Sequence, residues 1–168
     1  VTLGLTLNDC AGALARAHGV KGRIEVVPVP ADFTVLIDYA HTPDALENIL
    51  TTVRDFTSGR VLCLFGCGGD RDRSKRPQMG AIAGNLADVA VVTSDNPRTE
   101  DPEAIIRDIL AGMEGTPAQR HVEPDRRRAI ALALSLAEPG DTVVLAGKGH
   151  ETYQEIGAAR RHLDEREE

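Results

Sequence analysis

With 168 residues, 42% apolar and 27% charged, the chain has the length and composition of one compact globular domain, which excludes collagen-like, low-complexity and wholly disordered architectures. A formal net charge of −7 argues against a net basic face while leaving room for a local basic pocket, and 3% aromatics with no Trp disfavour base-stacking platforms, so nucleic-acid binding is not expected. No apolar run approaches the roughly 20 residues of a membrane helix, and the first residues lack the basic and apolar regions of a secretory signal.

In chain order, residues 5–19 predict an amphipathic helix that ends at Gly19. That helix stands apart from the strand–helix alternation, so residues 1–22 are expected to be the tail of a preceding domain, its last helix and linker, and 23–168 the domain proper; no Met stands at residue 1, so a fragment of a longer chain is expected. A short strand is expected at Ile24–Val27, followed by near-continuous apolar strands at 34–37, 61–65, 87–93 and 142–146, with a weaker one near 120–123. Such runs suit parallel strands buried on both faces. Between them, helices are expected at 43–56, 77–86, 102–113 and 125–137. Thr42 and Asp101 serve as N-caps, each followed by a Pro at the first helical position. Strand–helix alternation of this kind predicts an α/β fold, a doubly wound and mostly parallel Rossmann-like sheet. Arg126-Arg127-Arg128 opens a helix against its dipole and is expected to be a solvated face. Residues 160–168 are charged and lack an apolar face, so a frayed, truncated end is expected.

Three Cys cannot all pair, and Cys63 to Cys67 is not zinc-knuckle spacing. Cys63 is expected in a strand core. No HExxH or comparable pattern supports a metal site.

The informative segments follow the strands. They are Asp38 to Asp44, Gly66 to Pro77, Ser94 to Thr99 and Gly147 to Glu151. All follow carboxyl ends of strands, and an open parallel sheet gathers such loops along its ligand-binding edge. The opposite edge carries plain turns, Ser58-Gly59-Arg60 and Pro139-Gly140-Asp141. Each polar loop also has a plainer reading. The Gly66, Gly68 and Gly69 turn is either tight packing or a nest for a ligand. Asp70, Arg71, Asp72 and Arg73 form either a surface ion-pair cluster or a grip for a carboxylate. Pro97 stiffens the spacing of Asn96 and Arg98 whichever reading holds. His41 caps the next helix or meets a ligand, and Asp38 receives backbone N–H groups or a ribose. Gly147-Lys148-Gly149 lacks the following Ser or Thr of a phosphate loop.

Together, DYAHTPDAL, FGCGGDRDRSKRPQMG, DNPR and AGKGHE, in this order and spacing, resemble the C-terminal domain of the Mur ligases of the meso-diaminopimelate-adding type, from about Gly22 to Gln154. The resemblance implies an ATP- and Mg²⁺-dependent ligase. It would join meso-diaminopimelate to UDP-MurNAc-L-Ala-D-Glu through an acyl phosphate in peptidoglycan precursor synthesis. Asp95, Asn96, Pro97 and Arg98 match the diaminopimelate-recognition motif, and Arg71, Gly147 and Glu151 match other residues that hold this amino acid. Asp38, and less closely Arg23 and His41, match positions near the nucleotide ribose and phosphates. The phosphate loop, Mg²⁺ ligands and modified lysine of the family's central domain have no counterpart in these residues, so ligation by this chain alone is not expected. The resemblance further implies a cytoplasmic monomer. A folylpolyglutamate-type ligase domain and a free-standing nucleotide-binding module remain as other readings.

Overall fold

A computed structural model describes residues 4–15 and 19–168. The strands β1 (Glu25–Val27), β2 (Thr34–Asp38), β3 (Val61–Phe65), β4 (Val89–Val92), β5 (Gln119–Val122) and β6 (Thr142–Ala146) form a six-stranded sheet in the order β1-β2-β6-β3-β4-β5. All neighbours pair in parallel except β1, which lies antiparallel on the edge beside β2. Helices α2 (Pro43–Arg54), α3 (Lys75–Leu86), α4 (Pro102–Gly112) and α5 (Arg126–Leu136) connect the parallel strands. Thr42, Asp101 and Asp125 cap α2, α4 and α5 with side-chain oxygens that accept backbone N–H groups. The α/β expectation therefore holds, with helix ends within about two residues of the expected bounds, as terminal fraying allows.

Two apolar layers follow from this order. On one face, Leu46, Ile49 and Leu50 of α2, Met79 and Ala83 of α3, and Ile105, Ile106 and Ile109 of α4 pack on Leu36, Cys63, Phe65 and Val144. On the other, Ala129, Ile130 and Ala133 of α5 pack on Ile37, Leu62, Leu64 and Val91. Each fully buried Leu, Ile or Phe contributes about 2 kcal/mol relative to exposure. The chain steps outward from β3 to β5 with helices on one face. It then returns to β6 with α5 on the other, because a right-handed crossover that reverses direction must change face. Gly80 and Gly112 let α3 and α4 approach closely: a Cβ at either would strike the backbone of Ile109 or Pro77.

Three expectations are corrected or left aside. The end of the chain is ordered: β7 (Tyr153–Ile156) and β8 (Ala159–His162) form an antiparallel hairpin. Gly157 enters its turn at φ +57°, as a primed hairpin turn demands. Beyond it Leu163, Asp164 and Glu165 are buried. Arg126 is likewise not solvated. It donates to Glu165 at 2.8 Å and to the Ala146 carbonyl at 2.9 Å, with both charged side chains fully buried. The reason is shared: a charged segment can be buried where its charges meet partners from distant chain segments. The first helix, α1 (Leu7–Ala15), buries none of its residues. The expected continuation to Gly19 crosses residues 16–18, which lie outside those described.

Candidate functional site

The loops after β2, β3, β4 and β6 meet above the carboxyl ends of the strands and enclose a cleft of about 430 Å³. It is lined by His41, Arg71, Asp95, Asn96, Arg98, Gly147 and Glu151 among the expected residues, together with Tyr39, Thr42, Gly68, Asp72 and Lys75. It lies where β6 returns into the sheet between β2 and β3, the kind of reversal at which open α/β sheets bind ligands.

The glycine turn after β3 serves close packing. A Cβ on Gly66 or Gly69 would strike the Thr93 or Pro97 carbonyl. The Gly69 N–H donates to the Asn96 carbonyl at 2.9 Å. The turn thus lays its backbone directly against the 94–99 loop, and only Gly68 of the three faces the cleft. Asp70 receives the Thr99 hydroxyl at 2.8 Å, tying the same two loops together. Arg73 pairs with Glu100 at 2.9 Å. Arg71 donates only to its neighbour's carbonyl, at 2.9 Å among the described residues, and keeps an exposed guanidinium. The ion-pair reading thus fits Arg73, Asp70 is instead spent on Thr99, and the open-guanidinium reading fits Arg71.

Arg98 occupies a position with φ +52°, unusual for a side-chain-bearing residue. Two backbone bonds to the β7–β8 hairpin hold it there: its N–H donates to the Glu155 carbonyl at 3.1 Å, and its carbonyl accepts from Gly157 at 2.7 Å. Its guanidinium meets the Glu155 carboxylate at 3.0 Å and the Gly69 carbonyl at 2.8 Å. Arg98 and Arg71 also line an adjoining groove of about 440 Å³ along the hairpin. Pro97 does not line the cleft. Its carbonyl accepts the Glu100 N–H at 3.1 Å and shapes the loop.

Beneath Asn96 lies a side chain that sequence reasoning passed over. Lys148 is 0% exposed and contacts Asn96 Oδ1 at 2.5 Å, Asp95 at 3.2 Å and Glu151 at 3.4 Å. Its segment reads in the sequence only as an incomplete phosphate loop, and no local signal marks the burial of a Lys between two glycines. Tyr39 was also missed. Its ring sits 4.6 Å from that of His41 and 4.9 Å from that of His150, with the Arg23 guanidinium 4.8 Å from its centroid. Burial pushes the Tyr39 phenol above its usual range.

The residues expected near a nucleotide are divided. Arg23 and His41 flank Tyr39 at the cleft mouth, whereas Asp38 accepts the Ile24 N–H at 2.8 Å and faces a separate shallow groove. The backbone-receiving reading of Asp38 is thus met on one of its oxygens, Oδ2. His41 does not cap α2, since the Thr42 hydroxyl accepts the Ala45 N–H. Cys63 is buried in β3, as expected, and burial pushes its thiol up to about 12. Among the described residues no three His, Cys, Asp or Glu side chains gather as a metal ion requires. No helix among them is long and apolar enough to cross a membrane.

Comparison with known proteins places these loops in a family context. The sequence profile of the "Mur ligase, glutamate ligase domain" matches residues 22–149. The UDP-N-acetylmuramoyl-L-alanyl-D-glutamate--2,6-diaminopimelate ligase of Thermosynechococcus vestitus is 57% identical over 168 residues, which is 99% of this chain and 34% of that protein. Its counterpart in Clostridioides difficile is 53% identical over 154 residues, or 92% of this chain and 32% of that protein. A solved structure of a ligase of the same name superposes with a TM-score of 0.80 at 43% identity, covering 98% of this chain and 34% of that one. E. coli FolC in complex with ADP superposes at 0.63 with 23% identity over 88% of this chain and 33% of its own, a likeness of fold alone. The chain thus spans about a third of the length of the curated relatives it matches.

Proposed function

We propose, from the premise that this chain belongs to the Mur ligase, glutamate ligase domain family, that it is the amino-acid-presenting domain of an ATP-dependent ligase adding meso-diaminopimelate to UDP-MurNAc-L-Ala-D-Glu. The observation that carries this reading is the mixed-charge cleft, whose lining brings Arg71 and Arg98 together with Asp95, Glu151 and the Asn96 amide. Diaminopimelate has an ammonium and a carboxylate at each end. It needs acids for its ammonium groups and guanidinium forks for its carboxylates. Lysine has no distal carboxylate, so an Arg in the 95–98 loop favours the dicarboxylic substrate.

In this reading ATP supplies the phosphoryl group that turns the D-Glu side-chain carboxylate into an acyl phosphate. The amine of the incoming amino acid attacks that carbonyl and phosphate leaves. The residues of this chain hold the amino acid so that its amine is presented toward the missing partner surface. Holding the nucleophile in place lowers the entropic cost of the attack. The cluster of Arg23, Tyr39 and His41 fits one side of a nucleotide, offering a cation and two flat rings. Among the described residues no three metal-ligating side chains gather, so this chain offers no complete protein cage for Mg²⁺, an ion usually held by one or two carboxylates and substrate phosphates. The phosphoryl chemistry then belongs to the remaining two-thirds of a protein as long as the relatives, and this chain does not ligate alone. Three free cysteines suit a reducing cytoplasm, and the domain acts within a monomer.

Isothermal titration tests the reading. Meso-diaminopimelate is expected to bind, L-lysine at least tenfold more weakly, and ADP weakly. Equal affinity for the two amino acids in a folded sample would overturn the substrate assignment.

A further inference from the structure

The most deeply buried charge at the cleft is the Lys148 ammonium, with 0% exposure. A buried ammonium is costly unless its hydrogen bonds are met. Here Nζ donates to Asn96 Oδ1 at 2.5 Å and to Glu151 Oε2 at 3.4 Å, and Asp95 Oδ1 stands 3.2 Å away as a charge partner without hydrogen-bond geometry. The Tyr153 ring closes the remaining side, 5.7 Å from Nζ.

The consequence falls on Asn96. A side-chain amide can present either its oxygen or its nitrogen, and its neighbours decide which. Two donors converge on one end of this amide: Lys148 Nζ, and the Glu155 backbone N–H at 2.9 Å. That end must be the oxygen. The nitrogen is thereby turned to Glu151, where Nδ2 donates to Oε2 at 3.0 Å. Asn96 and Glu151 both line the cleft while Lys148 lies behind them. The Oε2 atom of Glu151 is thus spent on protein donors. Its other oxygen, and the second N–H of Asn96, have no protein partner among the described residues. A donor and an acceptor set side by side match the carboxylate and ammonium of one amino-acid head.

We infer that Lys148 is a specificity-determining positioning residue, which fixes the amide sense of Asn96 and the carboxylate of Glu151 so that the cleft floor takes a free amino-acid head. This rests on the reading that an amino acid occupies the cleft. Charge supports it. Two carboxylates against one ammonium leave the floor with one net negative charge, suited to a ligand ammonium. Without Lys148, the Asp95 and Glu151 carboxylates would lose the ammonium they share and the amide would lose one of the two donors that orient it.

The test is a double-mutant cycle read by titration with meso-diaminopimelate on the intact polypeptide. Lys148→Met keeps the volume of the stem and removes the charge. The single substitutions Lys148→Met and Asn96→Ala are each expected to weaken binding at least tenfold, and the pair to weaken it no further than the worse single. Lys148→Met combined with Arg71→Ala is expected to multiply the two losses, since those side chains share no contact. A general loosening of the fold would instead multiply the losses in both pairs, and that outcome overturns the proposal. So does wild-type affinity in Lys148→Met.

If Lys148→Met does not fold, nuclear magnetic resonance of the wild type decides. The Lys148 Nζ and Asn96 Nδ2 signals are expected to shift together along the binding isotherm, and unmoved signals at saturation overturn the role. Wild-type protein that binds no meso-diaminopimelate overturns the functional reading itself. Binding by wild type with an unaffected Lys148→Met overturns only the role of Lys148.

Discussion

Arg98 carries the sharpest claim at the scale of single residues. Its left-handed backbone, φ +52°, has the strain that accumulates where the surrounding structure over-determines a position. Here the β7–β8 hairpin supplies that determination through both backbone bonds. Arg98→Ala keeps the Cβ and hence the same backbone strain, so the substitution isolates the guanidinium. A charge-assisted bond to a carboxylate is worth about 1.5–3 kcal/mol, and about 1.4 kcal/mol is a factor of ten. Arg98→Ala should therefore lower affinity for meso-diaminopimelate by roughly ten- to a hundredfold and leave that for L-lysine unchanged. Calorimetric titration with both amino acids checks it, and an equal loss for both would remove Arg98 from the selectivity argument. Glu155, 3.0 Å from the same guanidinium, is the partner that sequence alone could not assign, because it lies 57 residues away (155 − 98).

Among the elements, the C-terminal hairpin and its tail hold together segments that the sequence leaves unconnected. The hairpin bonds the 94–99 loop through Arg98, and Gln154 donates to the Asp95 carbonyl at 2.7 Å. Beyond it Glu165 meets Arg126 at the start of α5, and Arg166 meets Glu25 of β1 at 2.5 Å. The tail thus straps the sheet edge to the loops of the cleft. The Arg126–Glu165 pair is fully buried. Removing one partner strands the other charge in the interior, at a cost of about 3–5 kcal/mol. Glu165→Leu should lose about that much stability in urea denaturation. The double substitution Arg126→Met with Glu165→Leu should recover most of it, because the interior then holds no unpaired charge. A double variant as unstable as the single would show that packing, and not charge, dominates there.

For the whole molecule, the same long-range pairs set the response to acid. Glu25, hydrogen-bonded by Arg166, and Glu100, hydrogen-bonded by Arg76, are each held at about 2 against an ordinary 4.5. A carboxyl depressed in the folded state contributes stability that is complete above its unfolded value and fades as pH falls through the folded one. Melting temperature should therefore fall as pH drops between about 4.5 and 2. Glu100→Gln should flatten that fall, and a variant curve parallel to wild type would refute the linkage. The sheet, its parallel sense and the loops of the cleft were legible in the sequence. Apolar runs, caps and Gly-rich turns are local signals, and chain order decides which loops share an edge. Also legible were Arg71, Asn96, Arg98 and Glu151 as cleft residues, through their motifs. The burial of Lys148 and Arg126, the ordered hairpin, and the choice of Ile24 as the donor to Asp38 were not. Each depends on a partner brought near only by folding, and a charge reads as exposed until its counter-charge is in place. The sequence by itself thus determined the architecture and the edge at which a ligand binds. Only the tertiary structure decided which charges face that ligand and which are spent holding the others in position.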